Sequence, residues 1–361
     1  MSAADRTRPV FGAPLLLGFA FMMGVVSTVV FPTAREFAEA PAKQPVDAYS
    51  IAYLRVLTRA NPRDAQLRAV YVRQLAALGR WDEALAALGA APADPKAALS
   101  MRTLRLDLLL ARARAMSEGS ASRAAALEGV HHEVRAMLGD ARGIGRDRVR
   151  DLVGLSLELE DPSLAARYCV ELAELETEPL SRAEALGEAG KWFRASGDGA
   201  RAAELQRRAA ETSPDPARKS RHMMAAADTL EAMERPCEAA ALLAHDAGVS
   251  SDRAFVQRAT ALMTSCGRAR DAKILGRHLV AVAPDDKAER RAQVRRELAA
   301  GDPAGALALL GPLVKSHPND LELRETTARV AEWAGHPYIA LEHWVWLISR
   351  GKHSRSPQPE L

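Results

Sequence analysis

A 34-residue internal period constrains this chain more than any other feature of its sequence. Gly267, Gly301 and Gly335 stand 34 residues apart, and so do Ala272, Ala306 and Ala340. Pro284 and Pro318 keep the same interval. Upstream, Gly197, Ala202 and Pro214 hold the same internal offsets, as do Gly79 and Ala84, with Pro95 one residue early. A unit of this length cannot bury its apolar face alone. It must stack on its neighbours, so the period predicts an array of supersecondary units.

Each marker has a mechanical role. The glycine falls at the C-terminal turn of a first helix, where left-handed backbone is needed and a Cβ costs about 1 kcal/mol. Five residues on, the alanine faces back across the hairpin and lets a second helix touch the first. The closing proline stops that second helix. Leu75, Phe193, Leu230 and Met263 recur four residues before the turn marker and fill the layer between helices. Composition agrees: 48% of residues are hydrophobic but only 5% aromatic. Much of the apolar share is Ala and Leu, which suit closely packed helices. Runs of strand formers are almost absent beyond the N-terminal segment, and the expected class is all-α.

The array spans residues 47–351. It reads as a leading half-repeat, 47–60, and eight helix pairs beginning near Ala65, Lys96, Arg146, Ala183, Ser220, Arg253, Lys287 and Leu321. Two pairs depart from the pattern. The pair near Lys96 has a long first helix, with MSEGSAS in place of a tight turn. In the pair near Ser220, Glu234 replaces glycine and Pro236 opens the second helix.

Ahead of the array, residues 10–31 read VFGAPLLLGFAFMMGVVSTVVF without a charged side chain. At about 1.5 Å per residue that run can cross a ~30 Å hydrocarbon core. It is long for a cleaved signal peptide, and no small-x-small site follows, so it reads as a single transmembrane anchor. Arg6 and Arg8 precede it and Arg35 and Lys43 follow it, a slight bias toward a cytoplasmic N-terminus and an exported body. The resulting order is a tail (1–9), anchor (10–31), Ala/Pro-rich linker (32–46), array (47–351) and polar tail (352–361).

The Gly, Ala, Leu-or-aromatic and Pro pattern resembles the tetratricopeptide repeat (TPR) family over 47–351. That resemblance implies a right-handed superhelical solenoid whose first helices line a concave groove, and a scaffold for protein–protein interaction. Residues 48–88, AYSIAYLRVLTRANPRDAQLRAVYVRQLAALGRWDEALAAL, and 330–347, VAEWAGHPYIALEHWVWL, are similar to the anchored TPR region of bacterial exopolysaccharide export proteins of the Pel type. In those proteins a β-barrel follows the TPR region, and it has no counterpart here. The likeness implies a periplasmic scaffold held at the bacterial inner membrane, its partners being proteins of an envelope or export complex. An accessory chaperone or assembly factor beside the secretion translocon is the alternative. The lipopolysaccharide-assembly TPR protein is a poorer match, since its paired CxxC motifs are missing.

Sequence motifs point away from an enzyme. There is no nucleophile elbow, phosphate loop or metal-spaced cluster. Gly143-Ile144-Gly145 is too short for a dinucleotide fingerprint and reads as a loop. His131 and His132 are adjacent and diverge around a helix by about 100°. No catalytic, cofactor or metal residue is assigned. A net charge of +3 on 95 charged side chains argues against nucleic acid as the main partner. Cys169, Cys237 and Cys266 lack framework spacing and read as small separate thiols, with a Cys237–Cys266 bridge the alternative in an oxidising compartment.

The groove carries both signs. Its basic candidates are Arg73, Arg150, Lys191, Arg194, Arg221, Arg291, Arg295 and Arg329; its acidic ones are Asp147, Glu158, Glu184, Glu231, Glu322, Glu325 and Glu332. TPR domains that clamp chaperone C-termini combine Lys or Arg with Asn, and this chain has only Asn61 and Asn319, both outside those positions. The expected partner site is the C-terminal end of the array. There Trp346 is the anchor, with Glu322, Glu325 and Glu332 close by and Arg291 and Arg295 one repeat before.

Overall fold

A computed structural model describes residues 13–30, 48–282, 284 and 286–350. The 1–9 tail, the 32–46 linker and residues 351–361 lie wholly outside the described residues. Every regular element described is helical, and the chain divides into two compact units, through Arg148 and from Val149.

The first unit opens with α1 (Ala13–Val30). Its 18 residues reach about 27 Å. Among the described residues no helix is long and apolar enough to cross a membrane. Residues 10–12 and 31 of the expected 22-residue span fall outside them. After α2 (Ala48–Ala60), the hairpin α3 (Ala65–Ala77) and α4 (Trp81–Leu88) turns at Gly79, whose φ is 70°. Ile51, Leu54, Leu67, Val72, Leu75, Ala84 and Leu88 form the core there. The long helix expected near Lys96 is α5 (Pro95–Ala115), followed by α6 (Ala121–Met137). A short 3-10 turn (Leu138–Asp140) and α7 (Ala141–Ile144) come next, so Gly143 and Ile144, which the sequence reads as part of a loop, lie in a helical turn.

The second unit takes most of α8 (Arg146–Glu158) and then α9 (Pro162–Leu175). Next come the pairs α10 (Pro179–Ala195) and α11 (Gly199–Thr212), and α12 (Pro216–Ala232) and α13 (Pro236–Ala247). They are followed by α14 (Arg253–Ser265) and α15 (Ala269–Val282), then α16 (Lys287–Ala299) and α17 (Pro303–Ser316). The last pair is α18 (Leu321–Trp333) and α19 (Pro337–Ser349). Within the first unit from α2 to α6, and within the second from α9 to α19, each helix packs on the next in chain order.

The repeat markers do what the pattern demands. Gly197, Gly267, Gly301 and Gly335 all have φ between 69° and 87°. Ala202, Ala272, Ala306 and Ala340 are buried. Glu234 keeps the turn without glycine at φ 60°, and Glu160 does the same at φ 56° between α8 and α9. Two first helices start a turn earlier than expected, at Pro179 and Pro216 instead of Ala183 and Ser220. Proline is pre-set for the first helical position and has no N–H to lose there.

Cys237 and Cys266 are joined as a disulfide, their Cα atoms 5.3 Å apart. This corrects the expectation of separate thiols. Cys237 sits in the first turn of α13 and Cys266 caps α14, so the hairpins bring together positions 29 apart in sequence. Cys169 stays free and buried, and burial pushes its thiol up to about 12.

Candidate functional site

Successive first helices α10 and α12 border a cavity of about 540 Å³. Its shape starts with two glycines in the middle of α10. Glycine inside a helix costs roughly 1 kcal/mol against alanine, so a pair needs a reason. A Cβ on Gly187 would come within 2.4 Å of the His222 ring, and one on Gly190 within 3.0 Å of the Ala202 carbonyl oxygen. Their absence lets His222 of α12 and Gln206 of α11 press against the α10 backbone.

A polar chain locks those side chains. The Gln206 amide donates to the Gly187 carbonyl at 2.8 Å, and its Oε1 lies 3.0 Å from His222 Nδ1. Since Oε1 can only accept, Nδ1 carries the proton, and Nε2 is the acceptor when the ring is neutral. Burial, then the charges of Arg221 and Arg218, hold His222 below the usual imidazole range.

Around this floor stand Glu184, Glu188, Lys191, Arg194, Arg218 and Arg221. Arg218 pairs with Glu184, and Lys191 lies 3.4 Å from Glu188. Both acids of the rim are thereby engaged. Arg194 and Arg221 are left with no carboxylate partner among the described residues. The cavity therefore presents two uncommitted guanidiniums, suited to bidentate contact with carboxylates.

The groove candidates Glu184, Lys191, Arg194 and Arg221 are thus brought together. Gly187, Gly190, Gln206 and His222 escaped the sequence reading. The one signal for them was a pair of glycines inside a helical pattern.

The expected C-terminal site is arranged differently. Trp346 does not stand free: it is half-buried, with Arg324 and Arg350 at 4.1 and 4.4 Å from its ring centre. Glu332 accepts from Trp344 Nε1 at 2.8 Å, and Glu325 pairs with Arg329 at 2.8 Å. Arg291 pairs with Asp320, while Glu322 and Arg295 are exposed. No group of three or more His, Cys, Asp or Glu placed to hold a metal occurs among the described residues.

No family model matches the chain, and neither does any curated protein. Solved structures of repeat proteins are similar at low TM-score. The nearly identical TPR-like repeats of a kinesin light chain from Podosopora anserina are 18% identical with a TM-score of 0.32, covering 50% of this chain and 100% of that one. The Naa15/Naa10 structure bound to HypK is 14% identical with a TM-score of 0.37, covering 82% of this chain and 44% of that one. The P58(IPK) TPR domain is 10% identical with a TM-score of 0.25, covering 94% of each chain. Such scores carry no residue-by-residue correspondence. The helical-hairpin repeat of this chain is visible in its own structure, with left-handed turn residues, buried alanines and a 34-residue step.

Proposed function

We propose that this chain is a membrane-tethered, exported scaffold that grips an acidic stretch of a partner protein in the cavity between α10 and α12. The observation carrying this reading is the pair of guanidiniums, Arg194 and Arg221, left without carboxylates in a cavity floored by Gly187 and Gly190. An extended segment bearing Glu or Asp would supply the missing charge and could donate a hydrogen bond to His222 Nε2. The Cys237–Cys266 bridge supports a body in an oxidising compartment, because such bonds persist outside the reducing cytosol. The uncharged run 10–31 supplies the tether in this reading. A bacterial periplasm meets both conditions, and exopolysaccharide export is the setting favoured by the resemblance of 48–88 and 330–347.

Fluorescence anisotropy with a labelled hexaglutamate peptide tests the grip. The protein should bind it in a salt-sensitive manner and ignore a hexaserine control. Arg194→Glu with Arg221→Glu should weaken binding at least tenfold without moving the thermal midpoint. Equal affinity for the acidic and neutral peptides would sink the assignment.

A further inference from the structure

We propose that a second copy of this chain covers the exposed face of α19, two such helices packing antiparallel about a two-fold axis.

One repeat earlier the equivalent face is covered. On α17, Leu307, Leu310 and Val314 pack in one cluster with Leu323 and Val330 of α18. This is how a second helix seats the first helix that follows it. Moving 34 residues on gives Leu341, Trp344 and Ile348 of α19. Val314 is 6% exposed, whereas its counterpart Ile348 is 72% exposed and Leu341 is 59%. Tyr338 and Val345 extend the stripe at 87% and 56%. The face that seats a neighbour in α17 is bare in α19.

Two properties select a second copy as the occupant. The stripe runs 338, 341, 345, 348, with intervals of three, four and three that read the same in both directions. An antiparallel pair therefore sets Tyr338 of one copy against Ile348 of the other, and Leu341 against Val345, as an isologous contact requires. The stripe offers roughly 500 Å² per copy, so a pair buries about 1,000 Å², the lower bound for a specific interface. The indoles do not compete, since Trp344 is tied to Glu332 and Trp346 is held between Arg324 and Arg350.

One charge interrupts the face. Glu342 is exposed beside Leu341, and the two-fold axis brings both copies of it to the same flank. Their repulsion and the modest area set association on the order of micromolar.

Sedimentation of the full chain in detergent, over a concentration series, tests the pairing. A reversible dimer is expected, lost in Leu341→Glu and in Ile348→Lys, with thermal midpoints unchanged because both side chains are exposed. Glu342→Gln should tighten the dimer several-fold; weakening would point instead to a basic partner helix and overturn the proposal. Register is read by mixing Leu341→Cys chains with Val345→Cys chains, whose cross-link should outrun that of either variant with itself. A monomer at every concentration, or a dimer indifferent to Leu341→Glu, refutes the contact.

Discussion

Gly276 of α15 has no room for a side chain, since a Cβ there would lie 1.9 Å from Gln293 Oε1. The space serves a polar cluster where neighbouring repeats place apolar contacts. The Glu297 carboxylate is 1% exposed and receives Arg277 at 2.6 and 2.8 Å and the Gln293 amide at 2.9 Å. A buried carboxylate stripped of its partner is costly, whereas removing both partners costs less. Arg277→Met should therefore destabilise by about 2 kcal/mol, moderated because Lys273 stays near and Arg277 is itself half-exposed. Combined with Glu297→Gln, the loss should be clearly smaller than the sum of the two single losses. Urea unfolding at pH 7 measures the cycle; strict additivity would mean the bond contributes nothing. None of this cluster was legible beforehand. Gln293 and Glu297 look like solvent-facing residues on a helix with only Val294 and Leu298 as nearby apolar marks. Only the close approach at Gly276 makes them interior.

At the scale of the element, aspartate begins the helices. Asp252, Asp286 and Asp320 stand 34 residues apart and cap α14, α16 and α18, each side chain accepting from backbone N–H groups one turn in. Asp302 does the same for α17. Backbone donors, first from Glu289, Gly305 and Leu323, hold Asp286, Asp302 and Asp320 below the usual carboxylate range, with Arg253, Lys273 and Arg291 adding to the effect. A folded-state pKa below the unfolded one favours folding fully above the unfolded value, about 4, and the benefit vanishes as pH falls through the folded value. The melting temperature should accordingly drop as pH is lowered below about 4. Asp→Asn at all three positions keeps the cap but removes the titrating charge. The triple variant should lose less on acidification between pH 5 and pH 2.5; an unchanged slope would assign the acid sensitivity elsewhere. Element boundaries were legible where such caps and prolines agree with the turn markers, as at Arg253, Lys287 and Leu321. They shifted at Pro179 and Pro216, because the apolar period begins inside the helix and not at its first turn.

For the whole molecule, oxidation state and topology belong to one prediction. If the array is exported, a cysteine placed in residues 32–46 should react with a membrane-impermeant maleimide once the outer membrane is permeabilised. In the same cells Cys237 and Cys266 should be blocked to alkylation until a reductant is added. Labelling only after the inner membrane is lysed, with Cys237 and Cys266 freely alkylated, would place the body in the cytoplasm. The bridge closes a loop of 29 residues. Chain-entropy reasoning gives its removal a cost of about 3 to 4 kcal/mol. Cys237→Ser should therefore lower the melting temperature under oxidising conditions and leave a reduced sample nearly unaffected.

The hairpin, its length and its turn could be read from residue order alone. Those depend on local chemistry, a left-handed turn residue at Gly197, Gly267, Gly301 and Gly335 and a small residue at Ala202, Ala272, Ala306 and Ala340, repeated in register. Packing between helices chose which distant side chains meet. It joined Cys237 to Cys266, set Trp346 between Arg324 and Arg350, and pressed His222 and Gln206 onto the two glycines of α10. The physical reason is that a period fixes where a residue lies around its own helix. The partner across the hairpin depends on how closely two helices approach, and that distance is set by every side chain between them.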